Sequence, residues 1–553
     1  MNNLFLSLPL GFQNKYDITM ICVIAILSAV LMIFVGYKLL QMLQLTGYKL
    51  RGYCRWFKET KYSYISRLFM LSFLSLASML MTNVLLADFL VDVKFLKYVS
   101  ILFYILFSSI FITNLFTAKQ KTPLKYTKRM TRLVVVYTIL VLLFSLVTLY
   151  VGFMYVPYLS YGLVGIIPIM LPIFVFLAYF ITYPVEKMIA NSYVRKAKKK
   201  LQSMKDLKII GITGSYGKTT VKNILNSFLS VKYKTCITPA SFNTPLGLAK
   251  TILSNLSKND QIFIAEMGAK QQRDIEELCQ MINPQIGVIT GIGNQHLLTF
   301  GSVETILKTK GELAEFVTKN NGELFINTDS EGSQKLAENY KNAITVSILN
   351  EKQSAVVATN IKTGKNGSTF DLTYDGETVH CKTILLGNHN ISNILIAAIV
   401  ALKMGVELKD ISLAIEKLVT IPHRLEIVKS TSTYTIIDDA YNSSVAGSKA
   451  SLDVLSKFDG KKFVITPGLV ELGLEQYNSN FEFGKDLAAV ADCVIIDSTV
   501  NFEAISSGLE DAKFDKSKVI QVANLTQAVQ MLNKLATTDD VVLFENDLPD
   551  NYS

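Results

Sequence analysis

Gly211-Ile212-Thr213-Gly214-Ser215-Tyr216-Gly217-Lys218-Thr219-Thr220 is the stretch on which the reading of this chain turns. Before it, Lys208–Thr213 is a short run rich in β-branched residues that reads as a strand. After it, residues 219–229 repeat apolar positions at helical spacing. A glycine-rich turn between a strand and a helix can lay successive N–H groups around phosphates at the helix N-terminus. Lys218 would add a point charge and the Thr219 hydroxyl a magnesium ligand, with Gly214, Gly217 and Thr220 completing the cradle. The generic phosphate-loop pattern is missed at one place, because Ile212 stands where its first glycine belongs.

Toward the C-terminus, short β-rich runs alternate with helical stretches, the signature of parallel α/β units. Strands are expected over 261–265 and 286–290. The first ends just before Glu266 and the second runs toward His296, so both residues are expected in the crevice where open α/β sheets bind ligands. A second alternation follows, with strands expected near 435–438, 462–466, 493–496, 519–522 and 541–543. It carries no Gly-x-Gly-x-x-Gly loop, which argues against an independent dinucleotide site there.

Toward the N-terminus the text changes character. Five apolar runs, at 18–37, about 68–87, 99–117, 133–155 and 163–182, are each long enough to cross a hydrocarbon core of about 30 Å. Basic residues cluster after the first (Lys38, Lys49, Arg51, Arg55, Lys58), after the third (Lys125, Lys128, Arg129, Arg132) and after the fifth (Lys187, Arg195, Lys196, Lys198, Lys199, Lys200). The intervening loops are balanced or uncharged. This alternation predicts a multi-pass cell-membrane protein with its N-terminus outside and everything after the fifth span in the cytoplasm. A basic helix over 188–203 is expected at the anionic inner surface. Almost no ionisable residue lies within the spans, so nothing there marks an ion or proton path.

The overall charge of +10 pools two unlike halves. Residues 1–205 hold 23 Lys/Arg against 5 Asp/Glu, and residues 206–553 hold 32 against 40. The basic excess therefore belongs to membrane-flanking loops, and no nucleic-acid partner is expected. The six cysteines are scattered without metal-type spacing, which points to reduced thiols.

The phosphate loop resembles that of the Mur ligases, which read Gly-x-Thr-Gly-x-x-Gly-Lys-Thr. Further matches follow in the family's order: Phe242-Asn243-Thr244-Pro245, Ala265-Glu266-Met267-Gly268, Asn294-Gln295-His296, Thr309-Lys310-Gly311-Glu312, Gly387-Asn388-His389-Asn390 with Asn393, Pro422-His423-Arg424-Leu425-Glu426, and Asp438-Asp439-Ala440-Tyr441-Asn442. Glu266-Met267-Gly268, Asp438 to Asn442 and Glu471-Leu472-Gly473 look most like the branch that adds D-alanyl-D-alanine to a UDP-muramoyl peptide. The apolar runs give a multi-pass α-helical membrane domain of five spans over 1–205, and the resemblance implies an α/β remainder: a P-loop ATP-binding Mur-ligase central domain over 206–424 and a Rossmann-like C-terminal domain over 425–553.

It implies ATP and two Mg2+ ions as cofactors, an acyl-phosphate reaction, and a catalytic centre of Lys218, Glu266, His296 and Lys310. Thr219, Glu266, His296 and a carbamylated Lys310 would hold the metals. Asn390, Asn393, Arg424 and Asp439 would join the loop around the nucleotide, and Asn243 and Thr244 would face the acyl substrate. The partners so implied are an envelope precursor bearing a carboxylate, lipid-linked or part of peptidoglycan, and an amino acid or dipeptide amine. Membrane lipids and proteins of envelope synthesis complete the expected surroundings.

Two departures bear on substrate. Soluble Mur ligases carry a small UDP-sugar-binding domain where this chain has membrane spans. Its end, residues 543–550, lacks the branch's Lys-Gly-Ser element, and Asn442-Ser443-Ser444 lacks its Asn-Pro. Besides the ligase, two readings stay open at this point: a non-catalytic ATP-binding membrane scaffold, and a subunit of an envelope polymer synthesis or export complex.

Overall fold

In the computed structural model, the residues described are 15–60, 62–85, 93–117, 122–155, 160–240, 242–293, 297–428, 432–441 and 444–546. His296, Asn442 and the residues from 547 onward, on which expectations were placed, lie outside them. The chain forms two compact units, residues 1–189 and 190–548.

The first unit is helical: α1 Lys15–Val35, α2 Tyr37–Leu45, α3 Leu50–Glu59, α4 Ser63–Leu85, α5 Val93–Thr117, α6 Lys128–Tyr155 and the start of α7 Ile167–Gln202. Five helices are long and apolar enough to span a membrane, over Ile18–Val35, Ser63–Met81, Val99–Phe116, Lys128–Met154 and Gly162–Gln202. Only 22–44% of each span is buried within the protein. Large apolar side chains such as Ile26, Phe73, Leu106, Ile139 and Phe180 face outward, so the bundle's exterior suits hydrocarbon.

One end of this bundle gathers the basic loops. Gln41 Nε2 donates to the Thr122 carbonyl at 2.6 Å, Gln44 exchanges bonds with the Lys125 backbone at 2.7 and 2.8 Å, and Arg132 Nε meets Glu186 Oε1 at 2.6 Å. Residues that follow the first and third apolar runs and Glu186 of α7 thus meet at one end of the bundle.

The second unit opens with the last turns of α7. The helix expected over 188–203 is the last part of α7, and one face of it is packed: Val194, Ala197 and Leu201 meet the core of the first α/β domain, and Lys200 Nζ donates to the Ile252 and Leu256 carbonyls at 2.8 and 2.6 Å. The four-residue spacing from Ala197 to Leu201 supplies an apolar face that the basic composition hides.

That domain comprises β1 Lys208–Thr213, α8 Lys218–Leu229, β2 Thr235–Ile237, α9 Pro245–Ser254, β3 Ile262–Glu266, α10 Asp274–Ile282, β4 Ile286–Ile289, α11 Leu297–Phe300, α12 Val303–Lys319, β5 Glu323–Asn327, α13 Glu331–Glu338 and β6 Ile344–Val346. A small sheet, β7 Val357–Gly364, β8 Gly367–Tyr374 and β9 Glu377–Thr383, and the helices α14 Asn388–Lys403 and α15 Leu408–Glu416 complete it. The six-stranded sheet has the order β2-β3-β1-β4-β5-β6, and its pairings are parallel.

Alternation along β1 and β3 sends Ile210, Ile212, Ile262 and Ile264 to the α8/α14 side and Ile209, Phe263 and Ala265 to the α9/α12 side. Each fully buried aliphatic side chain stabilises the layer by about 1.5–3 kcal/mol. Thr244 caps α9 by accepting from the Gly247 N–H, with Pro245 at the first helical position.

The last domain has β10 Glu426–Val428, β11 Thr435–Asp439, α16 Val445–Ser456, β12 Lys462–Thr466, α17 Gln476–Ala488, β13 Cys493–Ile496, α18 Phe502–Asp511, β14 Val519–Gln521, α19 Leu525–Leu535 and β15 Val541–Glu545. Its sheet order is β10-β11-β15-β12-β13-β14, antiparallel only at β10.

Candidate active site

The loop between β1 and α8 places Gly217 as the helix N-cap with φ 78°, in the left-handed region open to glycine. A Cβ there would also lie 2.7 Å from Asn393 Oδ1, and one on Gly214 would lie 2.2 Å from Thr290 Oγ1. The loop is thus pressed against α14 on one side and the end of β4 on the other. Ser215 fixes it further, donating to the Gly293 carbonyl at 3.0 Å and accepting from the Gly293 N–H at 3.1 Å.

Lys218 curls over this turn, its Nζ donating to the Gly214 and Ser215 carbonyls at 2.8 and 3.0 Å. Burial pulls its pKa down to about 8; Glu266 opposes that and Arg424 adds to it, so all three charges share one neighbourhood. Thr219 Oγ1 donates to Glu266 Oε2 at 3.0 Å, across 47 residues of sequence. Thr220 follows in the first turn of α8.

Glu266, at the C-terminal end of β3, is the hub. Besides Thr219 it receives Lys222 Nζ at 3.0 Å on Oε2 and Asn243 Nδ2 at 3.1 Å on Oε1. Burial alone would raise its pKa, but the charges of Lys222 and Lys218 and the bonds from Lys222 and Asn243 hold it below the ordinary carboxylate range. An ionised, hydrogen-bonded carboxylate beside a hydroxyl at a phosphate loop is a donor pair that suits Mg2+, which keeps waters and substrate phosphates as its other ligands. Among the described residues no three His, Cys, Asp or Glu side chains converge as a ready-made metal cage.

Lys310, in α12, is 3% exposed and lies over the Phe300 ring at 5.8 Å from Nζ to the centroid. Burial pushes its pKa down to about 7, with the charge of Lys218 acting in the same direction and Asp274 and Glu312 opposing. Its amine therefore sits in the electrostatic reach of the loop without bonding to it.

Asn393 presents Oδ1 to Gly217 while its Nδ2 donates to Asn390 Oδ1 at 3.3 Å, and Asn390 Nδ2 turns to the Leu386 carbonyl at 2.8 Å. Asn393 borders the phosphate turn, whereas Asn390 supports it from behind. His389 Nδ1 is buried without a partner among the described residues, and burial lowers its pKa to about 4.

At the junction with the last domain, Arg424 stacks over Tyr441 at 4.3 Å, and burial lowers its pKa against the pull of Asp439 and Glu266. Asp439 ends β11; it accepts from the Leu425 N–H at 3.1 Å and from the Ser451 hydroxyl. Burial pushes its pKa up to about 6, against the Ser451 bond and the Arg424 charge. The loop after β12 also reaches the first domain, where the Glu471 carbonyl accepts from the Leu298 N–H at 3.0 Å.

The structure thus joins Thr219 to Glu266 directly, sets Asn393 against Gly217, and puts Lys218 within electrostatic reach of Glu266, Arg424 and Lys310, and Arg424 within reach of Asp439. Sequence reasoning missed Lys222. Its signal was the spacing Lys218-Thr219-x-x-Lys222, which puts a second lysine one turn along the face that carries Thr219.

Comparison with known proteins gives two family matches, the Mur ligase middle domain over residues 212–401 and the Mur ligase glutamate ligase domain over residues 423–545. The UDP-N-acetylmuramoyl-tripeptide–D-alanyl-D-alanine ligase of Buchnera aphidicola subsp. Baizongia pistaciae is 33% identical over 295 residues, covering 50% of this chain and 63% of that protein. That of Bacillus subtilis is 27% identical over 344 residues, covering 61% and 72%. Among solved structures, MurF from Acinetobacter baumannii superposes with a TM-score of 0.58 at 25% identity, over 65% of this chain and 77% of that one. MurF ligase from Thermotoga maritima in complex with ADP gives 0.57 at 26%, over 65% and 80%. Both family matches begin after residue 205, so the helical unit lies outside them.

Proposed function

This chain belongs to the Mur ligase family, and from that premise we propose that it is a membrane-anchored, ATP-dependent, ADP-forming ligase joining the carboxylate of a cell-envelope precursor to an amino acid or dipeptide amine. The observation that carries the reading is the contact set at the end of β3. Thr219 and Asn243 both bond to Glu266, so the phosphate loop and the segment matched to acyl recognition meet on one carboxylate.

The γ-phosphoryl of ATP passes to the substrate carboxylate, ADP leaves, and an acyl phosphate forms. The amine then attacks the acyl carbon, inorganic phosphate departs, and the amine gives up its proton. Such transfers depend on charge neutralisation and placement rather than a protein nucleophile. Lys218 exchanges its two loop carbonyls for phosphate oxygens, Arg424 adds a second cation from the junction with the last domain, and Asp439 receives ribose hydroxyls or holds Arg424 in place. Thr219 and Glu266 would hold magnesium, which would supply Lewis-acid neutralisation of the phosphates. His296 is assigned to a second metal.

Lys310 fits the partner role in that second position. With a pKa near 7 its amine is partly neutral at cellular pH, and neutral amine reacts with CO2 to give a carbamate anion and a proton. A carbonate-labelled protein should show the carbamate carbon by 13C NMR in wild type and lose it in Lys310→Arg.

The division into an anchor over 1–205, an ATP-binding domain over 206–424 and an amine-positioning domain over 425–553 belongs to this proposal. So does the orientation, with the N-terminus outside and the ligase in the cytoplasm. D-alanyl-D-alanine is the first amine to test and a lipid-linked precursor the first acceptor, since five spans occupy the N-terminal part of the chain. Detergent-purified full-length protein with ATP, Mg2+, envelope lipids and amines should release ADP only when both substrates are present and should yield a new amide by mass. ADP release indifferent to acceptor and amine would sink the proposal.

A further inference from the structure

Lys222 is 1% exposed, in the second turn of α8, and no step of the proposed reaction uses it. An ammonium carries three donors in tetrahedral array, and two are spent on groups from different parts of the chain. One goes to Glu266 Oε2 at 3.0 Å and one to the Ala240 carbonyl at 2.6 Å. Ala240 has φ 44°, a left-handed conformation that costs a non-glycine residue and persists only where its surroundings hold it.

The same stretch grips Glu266 at further points. The Thr238 hydroxyl accepts from the Glu266 N–H at 3.1 Å, Asn243 Nδ2 bonds to Oε1, and the Asn243 carbonyl accepts from the Gly268 N–H at 2.9 Å. Thr238, Ala240 and Asn243 are thus gathered at Glu266, and Lys222 is the cation bonded both to its carboxylate and to the Ala240 carbonyl.

Building on the ligase reading above, we propose that Lys222 is a positioning residue that ties the Thr238–Asn243 stretch to Glu266, so that the acyl-substrate segment and the metal-facing carboxylate are set as one unit. A shorter or neutral side chain at 222 would leave Glu266 with Thr219 and Asn243 only and would free the Ala240 carbonyl. The left-handed turn at Ala240 would then relax, carrying Asn243 away from Oε1. Lysine suits the task because a point-charge donor can serve a carboxylate and a carbonyl at once, whereas the planar guanidinium of arginine is built for two parallel bonds to one partner.

The test is hydrogen–deuterium exchange on full-length protein in detergent, without nucleotide, comparing wild type with Lys222→Met. Peptides covering 236–246 should exchange at least tenfold faster in the variant, while those covering β1 stay at wild-type rates. Because Lys222→Met strands a buried carboxylate and can fail to fold, the double variant Lys222→Met/Glu266→Gln removes both charges and should show the same local loosening. Wild-type rates over 236–246 in a folded variant would overturn the tie. So would equal loosening of 236–246 and β1, which would make Lys222 an ordinary core residue.

A parallel titration of wild type with Mg2+ and ADP separates this from the ligase reading. Absence of binding there would remove the reading, while the nucleotide-free exchange would still decide the tie.

Discussion

The two units of this molecule treat polar groups in opposite ways. In the helical unit, hydroxyls within the spans are mostly satisfied by their own helix: Ser75 donates to the Leu71 carbonyl, Ser145 to Val141 and Thr182 to Ala178, each four residues back. Other bonds join spans, such as Ser28 with Tyr104, Tyr137 with the Met32 carbonyl and Tyr64 with the Val35 carbonyl. In the ligase unit, Thr219, Lys222 and Asn243 reach across 23 to 47 residues of sequence to one buried carboxylate. Self-satisfied hydroxyls are what a hydrocarbon environment demands of a helix. Long-range convergence on an ionised group is how a protein stores the electrostatics of a reaction. The comparison sets a unit whose hydroxyls bond largely within their own helices beside one that gathers distant side chains on a single carboxylate.

The largest expected break of this contrast is Lys218→Ala. It should cut acceptor-dependent ADP release by on the order of a thousandfold, as loss of a preorganised charge at a transferring phosphoryl group does, while membrane insertion is unchanged. Next comes Gly217→Ala, whose Cβ meets Asn393 Oδ1 in a left-handed turn. Mg-nucleotide affinity measured calorimetrically should fall roughly a hundredfold, equivalent to about 2.7 kcal/mol, with thermal stability lowered less.

Asp439→Asn should separate function from stability. Burial raises this carboxyl's pKa to about 6, so the folded chain binds more protons than the unfolded one between about pH 4 and 6. The stability this gives is present below the unfolded pKa and is lost as pH rises through 6. Melting curves should therefore show the variant gaining on wild type from pH 5 to pH 7.5, while nucleotide affinity drops about tenfold.

The smallest effect belongs to the helical unit. Glu186→Gln breaks a pair with Arg132, a side chain 39% exposed, and should cost about 0–1 kcal/mol. ADP release should stay within twofold of wild type. A tenfold fall would mean that this end of the bundle takes part in the chemistry.

Much of the ligase unit was legible because local rules carried it. The phosphate loop is set by glycine spacing, and the parallel strands by buried β-branched runs flanked by helices. The three-stranded sheet was missed although Asp375-Gly376, with φ 50° and 81°, is a two-residue hairpin signal between Tyr374 and Glu377. The flanking strands are polar on one face, which hides them among loop residues. The packed face at the end of α7 was hidden for a similar reason, since basic residues there outnumber the few apolar positions that seat Ala197 and Leu201 in the core. The spacing Lys218-Thr219-x-x-Lys222 puts Lys222 on the face of Thr219, but its partners, Glu266 44 residues on and the Ala240 carbonyl, were not legible. No local pattern encodes a bond to a backbone oxygen.

The measurement that tests the two-unit account most directly supplies the full-length protein with ATP, Mg2+ and D-alanyl-D-alanine or an amino-acid pool, once with extracted envelope lipids and once with water-soluble nucleotide-linked precursors. The account predicts a new amide in the lipid fraction, with matching ADP release that Lys218→Ala abolishes. An amide formed only on the water-soluble precursor would contradict the role given to the spans, and no amide from either would contradict the ligase itself.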